Sequence, residues 1–209
     1  MSANSSNRIL SIYKCRKNIL ELLDDQEYDV NEHNGFSINE VDAMVIKSQL
    51  DILIRHTNNE QKVYVKYYLS SKIRTKDLDE IIEDLFSIEN VLTKKDTLII
   101  ITDDEPNDSI VARLKYLYDH DGIFIVLHNI ARLQYNILEH VLNPQVSILD
   151  ENKTKEMMQK YNLKTTQQLP EISRFDPLAL ALALRPGQVC EMTRSSATAL
   201  TAKYYRICI

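Results

Sequence analysis

The stretch LPEISRFDPLALALALRPGQVCEMTR, Leu169 to Arg194, decides how the last third of this chain folds. Its centre, LALALAL (Leu178 to Leu184), alternates as a half-buried strand would, yet leucine and alanine are strong helix formers. The flanks break the tie. Asp176 is of the residue types that cap helix N-termini, and Pro177 suits the first helical position, where its missing N–H has no partner to lose. Arg185 sits where a cation favours a helix C-terminus, and Pro186-Gly187 closes the segment in a turn. The reading is a helix of about two turns over Leu178 to Leu184. With leucine on every side, it must be buried against a sheet or a partner.

Downstream, QVCEMTR (Gln188 to Arg194) alternates Cys190 and Met192 against Val189, Glu191 and Thr193, as a strand does. AKYYRICI, ending at Ile209, alternates likewise and is expected in the same sheet, which would make it structural. Upstream, QVSIL (Gln145 to Leu149) reads as a strand and ENKTKEMMQKYNL (Glu151 to Leu163) as a short helix. Before them, Asn143-Pro144 forces an extended or turning backbone. The charge also changes there: residues 143–209 hold nine Lys/Arg against six Asp/Glu, net +3, leaving sixteen against twenty-four, net −8, in residues 1–142. The expected organisation is a first domain over 1–142 and a compact module over 143–209.

The first domain alternates helices and strands. Arg8 to Leu23 places Ile9, Ile12, Tyr13, Ile19, Leu20 and Leu23 on one helical face. SINEVDAMVIKSQLDILI (Ser37 to Ile54) opens with Ser37 and Glu40 in capping-box spacing and carries the stripe Val41, Met44, Val45 and Ile52, so it reads as one helix. Val63 to Leu69 is β-branched and aromatic, a strand, and a helix from Asp77 turns Leu78, Ile81, Ile82 and Leu85 inward. TLIIIT (Thr97 to Thr102) reads as a strand covered on both faces. After the acidic DDEPND (Asp103 to Asp108) comes a helix with Ile110, Leu114, Leu117 and Tyr118, then strands at Gly122 to His128 and Leu133 to Ile137. The fold class expected is mixed α/β in the first domain and a small α+β module with a mixed sheet in the second.

Apolar residues make up 44% and charged residues 26% of the 209, ordinary for a soluble domain. The segment MSANSSNR lacks the features of a secretory signal, and no apolar run approaches the ~20 residues that span a bilayer, so an intracellular protein without a membrane partner is expected. Cys15, Cys190 and Cys208 are far apart and form no CxxC, which argues for reduced, buried thiols. Three glycines, Gly35, Gly122 and Gly187, are too scattered for a phosphate loop, a dinucleotide fingerprint or a nucleophile elbow. The five histidines form no HExxH, and zinc-ligand spacing is absent.

These patterns call for no cofactor, metal, catalytic residue or small-molecule substrate. The acidic DDEPND is read as a helix N-terminus whose carboxylates complement the helix dipole. One catalytic alternative rests on spacing alone. Asp51, Glu60 and Lys62 match the D…ExK pattern of metal-dependent nucleases, in which two carboxylates hold Mg²⁺ and the lysine helps position water. Here Asp51 is expected in a helix and Glu60 and Lys62 in the polar lead-in to a strand.

NILEHVLNP (Asn136 to Pro144), Leu169 to Val189 and YYRICI (Tyr204 to Ile209) together resemble the fifth common subunit of eukaryotic-type RNA polymerases, whose C-terminal module corresponds to a small subunit of the archaeal polymerases. Glu139, His140, Leu142 and Pro144 match the first element of the family pattern. Leu169, Pro170, Ile172, Asp176, Pro177 and Ala179 match the second, Gly187, Val189 and Arg194 the third, and Tyr205 with Arg206 the last.

The resemblance implies a non-catalytic polymerase subunit acting in transcription, with an N-terminal jaw domain of nuclease-like fold beside downstream DNA. It also implies an assembly module that docks on the largest subunit. The site residues it implies for that module are Leu169, Pro170, Asp176, Pro177, Gly187, Val189, Arg194, Tyr205 and Arg206. Where family members often carry Thr-Pro-Ser-Ala at a jaw helix, this chain has DDEPNDSIVARLK, leaving Ser109, Arg113 and Lys115 as the residues nearest DNA. That divergence, beside a retained assembly module, is similar to what a homologue from a large cytoplasmic DNA virus of the asfarvirus kind would show. Such a protein would sit in host cytoplasm and virion; a cellular one would sit in the nucleus.

Overall fold

The computed structural model describes residues 3–209, with side chains from Ser6 onward. The chain divides into two compact units, Met1–Tyr135 and Asn136–Ile209, each mixed α+β and each built on its own mixed sheet.

In the first unit, helix α1 (Ala3–Asp24) buries Ile12, Ile19, Leu20 and Leu23 along the expected face. Helix α2 (Ile38–Ile46) starts at the Ser37–Glu40 capping box, with both reciprocal bonds formed. Strands β1 (Ile52–Arg55), β2 (Lys62–Tyr68), β3 (Thr97–Thr102) and β4 (Phe124–Asn129) lie in the order β1-β2-β3-β4. β1 is antiparallel to β2, and the other pairs are parallel. Parallel neighbours need crossovers, which helices α3 (Thr75–Ile82) and α4 (Asp108–Tyr116) supply. Both helices widen into a π-type turn at the C-terminal end, and Gly122, at φ +71°, closes the second. Every residue of β3 and β4 is buried, as a strand covered on both faces requires.

Two expectations fail in this unit. The helix read from Ser37 to Ile54 ends at Ile46, and Ile52–Arg55 is a strand. The stripe Val41, Met44, Val45 needs an apolar residue next at position 48, where Ser48 stands, in a left-handed conformation at φ +54°. From Ile52 the period is two: Ile52 and Ile54 are buried, and Leu53 between them is exposed. The strand read at Leu133 to Ile137 is absent. A 3-10 turn covers Arg132–Gln134, and side chains take the place of a ladder: Asn18 Nδ2 donates to Leu133 O and Gln134 Nε2 donates to Ser11 O and Ile130 O. Buried Leu133 and exposed Tyr135 mimic a strand's alternation without one.

In the second unit, strands β5 (Gln145–Ile148), β6 (Glu171–Ile172), β7 (Val189–Ser196) and β8 (Leu200–Cys208) form a sheet in the order β5-β7-β8-β6. β6 runs parallel to β8, and the other pairs are antiparallel. Helix α5 (Glu151–Lys160) and helix α6 (Pro177–Ala181) serve opposite faces. Ala179, Leu182 and Leu184 pack with Ile172, Cys190, Met192 and Cys208. Met157 and Leu169 pack with Val189 and Ile207, which alternate with the first set along their strands. The short β6, unread in the sequence, is too brief for any period to register.

The Leu169–Arg194 stretch does fold around a helix, but a shorter one. Asp176 accepts from Leu178 N and Pro177 takes the first turn, while α6 ends at Ala181. Ala183 then adopts φ +47°, Ala183 N donates to Leu180 O, and Leu184 N donates to Ala179 O. This is a Schellman closure with alanine where glycine is usual. Arg185 therefore stands beyond the helix end, outside the dipole role expected for it.

Candidate functional site

The residues singled out in the second unit divide into those that make its turns and those that face solvent. Pro170 O accepts from Ile207 N at 2.9 Å and so joins the approach to β6 with β8. Leu169 and Val189 are core. Asp176 and Pro177 start α6. Gly187, at φ +89°, donates its N–H to Cys208 O at 2.9 Å. Only glycine reaches that conformation without strain.

Arg194, Tyr205 and Arg206 lie on the sheet faces. Tyr205 donates its hydroxyl to Glu191 Oε2 at 2.8 Å, and Lys203 Nζ stands 2.9 Å from Glu191 Oε1. Lys203 holds the Glu191 carboxyl below its usual range; burial opposes it, and the Tyr205 hydroxyl adds a lesser push in the same direction as Lys203. Burial, and then the bond to Glu191, push the Tyr205 phenol up. Arg206 donates to Glu171 O at 2.9 Å. Tyr204, which the sequence pattern does not single out, receives two guanidinium groups: Arg194 Cζ lies 5.1 Å and Arg206 Cζ 5.3 Å from its ring centre.

The segment before β5 is a tight turn. Asn143 Nδ2 donates to Ile137 O, Asn143 N donates to His140 O at 2.8 Å, and Leu142 N donates to His140 Nδ1 at 3.3 Å. These bonds hold Val141 and Leu142 outward, 96% and 85% exposed. Val141, Leu142, Arg194, Tyr204 and Arg206 line one groove of about 490 Å³.

All three cysteines are free and buried. Burial pushes the Cys15 thiol up to about 12 and the Cys208 thiol up to about 11, and raises Cys190 as well.

In the first unit the D…ExK residues are not brought together. Asp51 precedes β1 rather than lying in a helix, and its carboxylate accepts from Tyr67 N at 2.9 Å, Lys66 Nζ at 3.1 Å and Tyr64 Oη at 3.4 Å. Lys62 pairs with Arg55 at the other end of the β1–β2 ladder, roughly 13 Å away along the strand. Glu60 and Lys62 line a different cavity, with His56 and Asp96. Two carboxylates cannot share an ion across that distance.

The loop Asp103 to Asp108 is partly neutralised: Asp103 pairs with Arg8, and Glu105 with Arg132 at 2.9 Å. Asn107, rather than an acidic residue, caps α4 by accepting from Ile110 N, and Asp108 occupies the first turn. Ser109 donates to the same Asn107 oxygen at 2.7 Å, and Arg113 is held by Asp79 at 2.9 Å and over the Tyr116 ring. Lys115 is exposed.

Residues 135–208 match the family model "RNA polymerase Rpb5, C-terminal domain". DNA-directed RNA polymerase subunit Rpo5 of Thermococcus kodakarensis is 40% identical over 79 residues, 38% of this chain and 95% of the relative. The chain belongs to the Rpb5 family. The matched Rpb5 segment covers all but one residue of the second compact unit. Similarity also extends beyond the Rpb5 C-terminal domain. DNA-directed RNA polymerase subunit 5-like protein 1 of Arabidopsis thaliana is 26% identical over 230 residues, 99% of this chain and 100% of the relative. Subunit RPABC1 of RNA polymerases I, II and III of Caenorhabditis briggsae is 26% identical over 212 residues, 95% of each chain.

Proposed function

We propose that this chain is a non-catalytic subunit of a multisubunit DNA-directed RNA polymerase and acts in transcription. The observation that carries the reading is the coincidence of the Rpb5 match with a self-contained unit that keeps its own sheet and core. The second unit, which contains the expected module of 143–209, serves as the assembly module and docks on other polymerase subunits, chiefly the largest. Nucleotide addition belongs to the large subunits.

The first unit forms the jaw domain beside downstream DNA. Supporting this are the full-length similarity to polymerase subunits and the neutralisation of Asp103 and Glu105 by Arg8 and Arg132, which lowers the repulsion a phosphate would meet near Ser109, Arg113 and Lys115. The departure of DDEPND from the family's usual loop supports a viral, asfarvirus-like source. The protein would then work in host cytoplasm and virion; in a cellular source it would work in the nucleus.

The test is affinity purification of the tagged full-length chain from the cells or infected cells that make it, with stoichiometric partners identified by mass spectrometry. A set of polymerase subunits including the largest is expected. Recovery of the chain alone, or with proteins unrelated to transcription, refutes the proposal. Fractionating the same cells tests the location. Crosslinking to DNA in transcribing complexes tests the jaw: crosslinks at Lys115 alone would still place DNA there, whereas none in 103–115 would remove it.

A further inference from the structure

The second unit leaves part of one sheet face bare. Cys190, Met192 and Arg194 of β7 share a face with Ala202, Tyr204 and Arg206 of β8. The α6 segment covers the Cys190 and Met192 part of that face. The remainder opens into the groove bounded by the 141–144 turn.

Two features of this groove are turned to solvent rather than to the core. Val141 and Leu142 are almost wholly exposed, although hydrogen bonds fix the turn that displays them. The turn thus sets two adjacent apolar side chains beside the groove, where a partner can cover them. Arg194 and Arg206 bring two positive charges to one tyrosine ring, and among the described residues no carboxylate lines the groove. Arg206 spends one nitrogen on Glu171 O, and Arg194 lies over the Tyr204 ring.

We infer that this groove receives an extended segment of a partner polymerase subunit in which a carboxylate lies beside a bulky apolar residue. The inference rests on the polymerase-subunit reading above and adds to it the face and the chemistry of contact. Charge complementarity selects the carboxylate: two guanidinium groups beside one aromatic ring offer forked donors that can bind two oxygens at once. The exposed Val141 and Leu142 favour a polypeptide, whose aliphatic side chains can cover such a pair, over a phosphate backbone.

The experiment uses the full-length tagged chain expressed with the polymerase subunits in its native cells. Arg194→Glu reverses one charge with little risk to the fold, since the residue is exposed. Val141→Ser with Leu142→Ser removes the apolar pair from solvent-exposed positions. Each variant is expected to lower recovery of polymerase subunits by about tenfold or more, with the unfolding midpoint of the purified chain unchanged. A photo-reactive side chain placed at Leu142 is expected to capture a polymerase-subunit peptide containing Asp or Glu.

If the wild-type chain itself recovers no polymerase subunits, the subunit reading falls. If the wild type assembles and both variants assemble equally well, the groove assignment falls while the subunit reading stands. Capture of nucleic acid, or of a peptide without an acidic residue, also overturns the groove assignment.

Discussion

Leu184 offers a quantitative test of the core that holds α6 to its sheet. Its side chain is 1% exposed and packs with Ala179, Leu182, Cys190, Met192 and Cys208. Cys208 Sγ lies 3.5 Å from Leu184 O, so the residue also abuts a thiol. Leu184→Ala removes side-chain carbons worth roughly 2 to 2.5 kcal/mol in transfer alone, and the cavity left behind adds to that. The site is closed by the short α6 on one side and β-strands on the other, so partial collapse is expected, and the total is about 3 kcal/mol. Alkylation of the native protein with iodoacetamide reads this directly. At about pH 8 the buried thiols are protonated and shielded, and labelling requires opening. Where reclosing outpaces alkylation, the labelling rate follows the opening equilibrium. Leu184→Ala should therefore speed labelling of Cys190 and Cys208 by about a hundredfold. Cys15, in the other unit, should keep its wild-type rate. An acceleration of Cys190 and Cys208 below about threefold would refute the reasoning, as would an equal acceleration of Cys15.

Three further predictions bear on the turns and the ion pair of the second unit. Ala183→Gly relieves the left-handed strain at φ +47° and should raise stability in urea by about 0.5 to 1 kcal/mol; any loss would refute the closure described for α6. Gly187→Ala should cost about 1 to 2 kcal/mol through backbone strain alone, since no atom lies within 4 Å of the added Cβ, and a crystal structure of the variant should show its neighbours unmoved. Glu191→Gln should lower the thermal midpoint near neutral pH. Because the folded carboxyl titrates below its unfolded value of about 4.3, the charged form's contribution is present above that value and lost as pH falls through the folded one. The gap between variant and wild type should therefore close in acid; a gap independent of pH would remove the charge from the explanation.

The segments legible in the sequence are those in which local chemistry and packing agree. TLIIIT is a strand because β-branched residues run without a break, and burial on both faces is what such a run needs. The Ser37–Glu40 box and the Asp176–Pro177 cap work through bonds between near neighbours, so they are readable without a fold. Ile52–Arg55 is not, because its strand state depends on β2 supplying the ladder. Leu133 to Ile137 fails for the converse reason: Asn18, more than a hundred residues away in sequence, takes the carbonyl that a neighbouring strand would have taken. The groove is legible only in part. Arg194 and Arg206 emerge through the family resemblance, but Tyr204 does not, because what singles it out is register: Met192 opposite it brings Arg194 to one side and Arg206 to the other. The outward display of Val141 and Leu142 is equally hidden, since alternation and periodicity say nothing about an irregular turn.

Most of the residues that carry the family pattern hold the second unit together: Asp176 and Pro177 begin α6, Gly187 permits the turn into β7, and Leu169 and Val189 lie in the core. Substituting any of them should reduce recovery of partners, yet the loss would follow from unfolding whichever face makes contact. Arg194, Val141 and Leu142 have the opposite character. They are exposed, and neither the α5 nor the α6 core includes them. A loss of partners at Gly187 with a lowered unfolding midpoint therefore says nothing about the interface, whereas a loss at Arg194 with the midpoint intact locates it. Arg206 falls between the two, because its bond to Glu171 O ties β8 to β6 while its ring contact faces the groove. Its substitution becomes interpretable only after Arg194 has been measured.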